Sequence, residues 1–108
     1  MDTLSNPIPV IQNAKHSGEL LFCAHALQKM MQREISVDQI EQVLDCSGVE
    51  ILEVYPQIGR PSSECLILGV DRGGKSLHIV VAYPMAEVIT TYEPTSPKWM
   101  TPRQRGKI

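Results

Sequence analysis

Two histidines offer proton chemistry in this chain. His25 lies in "FCAHALQKMMQREIS" and His78 in "SLHIVVAY", and imidazole is the side chain that gains or loses a proton near neutral pH. On a helix turning about 100° per residue, Cys23, Leu27, Met30 and Met31 form one apolar stripe and His25 points to the opposite side. There it is either a solvated residue or part of a site. In the second segment, alternation puts Leu77, Ile79, Val81 and Tyr83 on one strand face and His78 with Val80 and Ala82 on the other. A histidine on so apolar a face is either a hydrogen-bonded structural group or a proton carrier. Arg33 lies about 12 Å beyond His25 along the helix, too far for a direct hydrogen bond, and its simplest role is to interact with the helix C-terminus.

Other chemistry lacks its spacing. Cys23, Cys46, Cys65, His16, His25 and His78 are all ligand types, but Cys23 and His25 point about 200° apart on a helix, and no pair has zinc-finger spacing. No metal site is expected. "GVDRGG" is too short for a phosphate loop and precedes a strand rather than a helix, and no nucleophile elbow or dinucleotide fingerprint occurs. No cofactor is expected.

The elements that must position these residues belong to one domain over 1–108, since 108 residues at 43% hydrophobic suit a single modest core. The longest apolar runs are far short of a bilayer span, and "MDTLSNPIPV" has an acid where an export signal carries positive charge, so a cytoplasmic protein with no membrane contact is expected. Three cysteines with no paired spacing read as reduced, buried thiols. The net charge of −2 argues against bulk electrostatic binding of nucleic acid. After Glu93, however, there is no acid, and Lys98, Arg103, Arg105 and Lys107 make a Pro-containing basic tail over 94–108, which is either a contact surface or merely solvated.

Asn6 and Pro7 start a short helix that "HSG" ends, a second helix occupies about Ala24 to Arg33, and "SVDQ" is a capping box opening a third at Ser36 with Gly48 placed to end it. The second and third helices are expected to form a tight hairpin. From Val49 the pattern becomes extended: "VEILEVY", "CLILGV", "SLHIVVAY" and "EVITTY" are strands separated by turn residues. The expected fold is α+β, two or three N-terminal helices followed by a four-stranded antiparallel meander with one face covered and the other partly open. The expected core holds Leu27, Met30, Ile40, Val43, Leu44, Ile67, Ile79 and Val81. Trp99, after Pro94 and Pro97, is expected outside any regular element, with its ring packed back on the domain.

The order "HALQKMMQREIS", "EVYPQIGRPSSECLILG", "LHIVVAY", "ITTYEPTSPKW" resembles the bacterial family known as domain of unknown function 4258, over about Phe22 to Trp99. His25, Arg33, Tyr55, Pro61, Ser62, His78, Tyr92, Pro94 and Trp99 fall on its motif positions. Two positions depart: Cys23 stands where the family usually has Ser or Thr, and Glu34 where it usually has Gly. Members look similar in size and helix-then-sheet order to the RelE, BrnT and MqsR ribonucleases, toxins of toxin–antitoxin pairs.

That resemblance implies RNA cleavage without metal, in which the 2′-hydroxyl attacks and the protein supplies a base, an acid and cations. His25 beside the helix N-terminal dipole would be the base, His78 the acid, and Arg33 or Arg60 the phosphate contact. Tyr92 would stack on an unpaired base or orient the phosphate, with Lys98 a further substrate contact. The implied partners are RNA or the ribosome and an antitoxin protein, with the oligomeric state open. The competing class is a non-catalytic protein-interaction module, in which both histidines are structural and the basic tail docks an acidic partner.

Overall fold

The computed structural model describes residues 6–55, 62–95, 99–102 and 104–105, with only the backbone of 99–100 and 104–105. Helix α1 spans Ile8–His16. Asn6 Oδ1 accepts from the Ile8 amide at 3.3 Å, and the Pro7 carbonyl takes the first helical bond from Ile11, so Asn-Pro opens the helix as its chemistry requires. Helix α2 is Ala24–Arg33 and α3 is Val37–Asp45. At Ser36 the capping box is complete: its hydroxyl accepts from the Gln39 amide at 3.0 Å while Gln39 Oε1 accepts from the Ser36 amide at 2.9 Å. The third helix ends at Cys46 rather than Gly48.

Strand β1 is Leu21–Phe22, β2 Glu50–Tyr55, β3 Ser63–Val70, β4 Ser76–Tyr83 and β5 Glu87–Tyr92. Strands β2 to β5 form the expected antiparallel meander. The four-stranded expectation needs one correction: β1 joins the outer side of β5 in parallel, giving a mixed sheet in the order β1, β5, β4, β3, β2. A separate two-stranded ladder, β6 (Trp99–Thr101) and β7 (Gln104–Arg105), lies in the segment read as a tail. Trp99 is therefore in a strand, because no proline interrupts the backbone between it and Pro102; the packing of its ring lies outside the described residues.

All three helices bury their apolar residues on one sheet face. Ile11, Ala26, Met30, Ile40, Val43 and Leu44 pack on Cys65, Ile67, Leu77, Ile79, Val81 and Val88. The helices do not pair as expected: α2 lies on β5, whereas α3 lies on β3 and against α1. The α2 face is also different. Ala26 and Met30 face the core, while Leu27 is 49% and Met31 81% exposed. The small Ala26 lets the helix sit close on β5, a preference that counting apolar residues does not reveal.

Two features fix α3 on the sheet. A Cβ at Gly69 would stand 2.7 Å from both Val43 Cγ1 and the Val43 carbonyl, so only glycine permits this approach. Cys46 Sγ also accepts from the Val70 amide at 3.5 Å. In the β3–β4 turn, Asp71 Oδ1 accepts from the amides of Lys75 and Gly73, and Gln39 donates to Oδ2. Those donors, the Lys75 amide foremost and then Gln39, hold the Asp71 carboxyl below its usual range. The three cysteines are free thiols, Cys65 buried and the other two half-buried; burial pushes the Cys65 thiol up to about 12.

Candidate functional site

The chemistry-bearing residues gather on the sheet face opposite the helices. Cross-strand pairing places Glu50, Leu68, His78 and Tyr92 in one row across β2, β3, β4 and β5, and directly paired side chains share a face. The neighbouring row is Glu53, Leu66, Val80 and Thr90. His78 is on the face that alternation assigns it. That face is not open around the ring: His78 and Leu66 are fully buried, and Leu68 nearly so.

Both ring nitrogens of His78 are engaged. Nε2 lies 2.7 Å from the Pro102 carbonyl oxygen, an acceptor only, so Nε2 carries a hydrogen and donates. Nδ1 is 3.4 Å from the Tyr92 hydroxyl, and the two rings are tilted at 60° with centroids 5.3 Å apart. The backbone beneath is held as well. Thr91 Oγ1 donates to the His78 carbonyl at 2.8 Å, and Arg33 Nη1 donates to the Thr91 carbonyl at 2.7 Å. Arg33 therefore does not cap its own helix. It joins α2 to β5, linked to His78 through Thr91.

His25 lies elsewhere. It is exposed on the first turn of α2, within the helix layer, while the His78 ring is on the far face of the sheet, so the two do not face one cleft. Cys23, the N-cap of α2, accepts from the Ala26 amide and donates to the Ile89 carbonyl, each at 3.4 Å; a sulfur thus does the work of the usual Ser or Thr. Glu34 closes the same helix at φ 56° and ψ 43°, a left-handed conformation that favours glycine. Arg60 and Lys98, expected on substrate, lie outside the described residues.

Sequence reasoning passed over Glu50 and Glu53, and gave Tyr55 no role beyond its place on a motif position. Strict alternation along "EILEVY" would put Glu53 and Tyr55 on the face opposite Glu50. A bulge between Ile51 and Glu53 shifts the register, so that Glu53 pairs with Leu66 and Tyr55 with Glu64. Both side chains thereby join Glu50 and His78 on one face, and the Tyr55 hydroxyl donates to Glu53 Oε1. The sequence signal was two acids and a motif tyrosine in an otherwise apolar run.

Among the described residues, no three His, Cys, Asp or Glu side chains converge to hold a metal ion, and no helix is long and apolar enough to cross a membrane. A polar depression lined by Lys15, Asp38, Glu41, Asp45, Asp71 and Arg72 lies by α3 and the β3–β4 turn. Its charges are partly paired, Asp45 with Lys15 and His16. None of the residues expected at the site lines it.

A family model described as Domain of unknown function (DUF4258) matches residues 22–93. No curated protein and no solved structure matches the chain.

Proposed function

The chain belongs to the DUF4258 family, and from that premise we propose that it is a small ribonuclease of the toxin type, cleaving RNA without metal at the sheet face that carries His78. The observation that supports this reading is the His78–Tyr92 pair, held rigidly on that face with Nε2–H directed at an oxygen acceptor. In its imidazolium form His78 donates from both nitrogens, Nδ1–H to the Tyr92 hydroxyl and Nε2–H outward. The Pro102 carbonyl occupies the place that a leaving 5′-oxygen takes when RNA replaces that contact. His78 is the general acid in this reading, Tyr92 orients its ring, and Arg60 and Lys98 are the cations for the phosphate. Arg33 is a positioning residue, acting through Thr91.

The competing interaction-module reading rests on a different observation, the exposed Leu27 and Met31 on α2, an apolar pair four residues apart of the kind that docks a partner protein. An antitoxin would fit there without conflict with chemistry on the other face.

The experiment is induced expression of the chain alone, with incubation of the purified protein with single-stranded RNA and ribosome-bound message. We expect growth arrest and RNA fragments ending in a 2′,3′-cyclic phosphate and a 5′-hydroxyl. His78→Gln keeps a donor toward Pro102 but cannot carry a proton, and should lower the cleavage rate about 10²-fold or more while the protein still melts cooperatively. Intact RNA in both assays together with harmless expression would overturn the ribonuclease reading. Dependence of a protein complex on Leu27 and Met31, with RNA untouched, would instead favour the interaction module.

A further inference from the structure

We infer that the β6–β7 hairpin is an autoinhibitory strap that closes the His78 face and must lift before substrate reaches the ring. What the strap restrains rests on the ribonuclease reading above; the closure itself does not. The contact is specific. His78 Nε2 donates to the Pro102 carbonyl at 2.7 Å, and Pro102 stands in the turn between β6 and β7, so the tip of the hairpin meets the nitrogen assigned to proton transfer. The described helices do not cover this side. His78 and Leu66 are fully buried and Leu68 nearly so, yet both leucines stand outside the core that the helices complete.

The hairpin is built to come away. It forms a two-stranded sheet of its own, and neither strand pairs with the five-stranded sheet. A ladder of one three-residue and one two-residue strand has marginal stability by itself, so its position depends on contacts such as that with His78. After β5 ends at Tyr92, Glu93, Pro94 and Thr95 have no regular structure. Lifting therefore breaks no ladder hydrogen bond of the main sheet, and local opening of this kind draws on the least stable part of a fold. Once the strap lifts, Nε2–H loses the Pro102 oxygen and is presented to the leaving 5′-oxygen. A site open only part of the time binds with its affinity reduced by the open fraction, which is how closure restrains cleavage.

The test is acylation of histidine in the full chain by diethyl pyrocarbonate, read at each residue by mass spectrometry. Exposed His25 is the internal standard. In the wild type His78 should react about tenfold or more slowly than His25, the protection that a mostly closed strap gives. That slow reaction should depend little on urea below the melting transition, since lifting the hairpin exposes little surface. Replacing both residues of β7 by proline, Gln104→Pro with Arg105→Pro, leaves that strand no amide to donate. His78 should then react about as fast as His25, while the variant still melts cooperatively and cleaves RNA faster than the wild type by about the factor of protection lost. Arg105→Gln removes the same charge, keeps both amides and should leave both readouts near wild type.

Two outcomes would overturn the strap: His78 as protected in the double-proline variant as in the wild type, or wild-type acylation as steep in urea as the global melt. In either case the burial of His78 does not depend on the hairpin. Exposure of His78 with slower cleavage would overturn autoinhibition and make the hairpin part of the site. If neither protein cleaves RNA, the ribonuclease reading falls, and acylation alone decides whether the strap closes.

Discussion

The two faces of the sheet are built from the same strands but to different ends. Toward the helices, β3 and β4 present Cys65, Ile67, Leu77, Ile79 and Val81, all buried, and even Gly69 is there to let α3 approach. Toward the other side, the same strands present Leu66, Leu68 and Val80 interrupted by His78, with Glu53 and Tyr92 from their neighbours. Strand alternation lets one backbone serve both purposes. Changes to the first face should therefore be read in stability, and so should changes to buried Leu66 and Leu68 on the second, while on the proposed reading changes at His78 should be read in chemistry.

The largest test of that division is Leu44→Ala. Leu44 is 1% exposed within the core, so its truncation should cost about 2–5 kcal/mol in a urea melt; a loss below about 1 kcal/mol would show that the helix layer is not what holds the sheet. Gly69→Ala comes next. The added methyl must displace the Val43 backbone as well as its side chain, and we expect a loss of about 1–3 kcal/mol, with no specific effect on the histidine face. The smallest change should go the other way. Glu34→Gly relieves a left-handed residue outside both faces and should stabilise by roughly 0.5–1 kcal/mol; a destabilised variant would show that the Glu34 side chain compensates for its backbone strain.

What the sequence reveals follows the range of the interactions involved. The Ser36 capping box, the Asn-Pro start of α1 and the four meander strands depend on neighbours within a few residues, and all were legible. So was the face of His78, because β4 is regular along its length. The parallel pairing of β1 was not, since Leu21 and Phe22 are too few for periodicity and their partners are Glu87 and Val88. The α2 face was misread because Leu27 and Met31 outweigh Ala26 by hydrophobicity, while close packing on β5 favours the smaller residue. For the candidate site, His78 and Tyr92 were legible, whereas the placement of Glu53 and Tyr55 was not. One extra residue in β2 reverses their facing, and no residue in "EILEVY" announces it.

That extra residue has a consequence for how copies of the chain meet. β2 is the outermost strand on its side of the sheet, and a regular outer strand is a template on which another molecule's strand can add, copy upon copy, into a fibre. The bulge breaks the even run of amides and carbonyls along β2, and half-exposed Val54 beside it offers grease without a regular backbone ladder to anchor an incoming strand. A kink that aims a carboxylate inward thus also guards the open edge against self-association at high concentration.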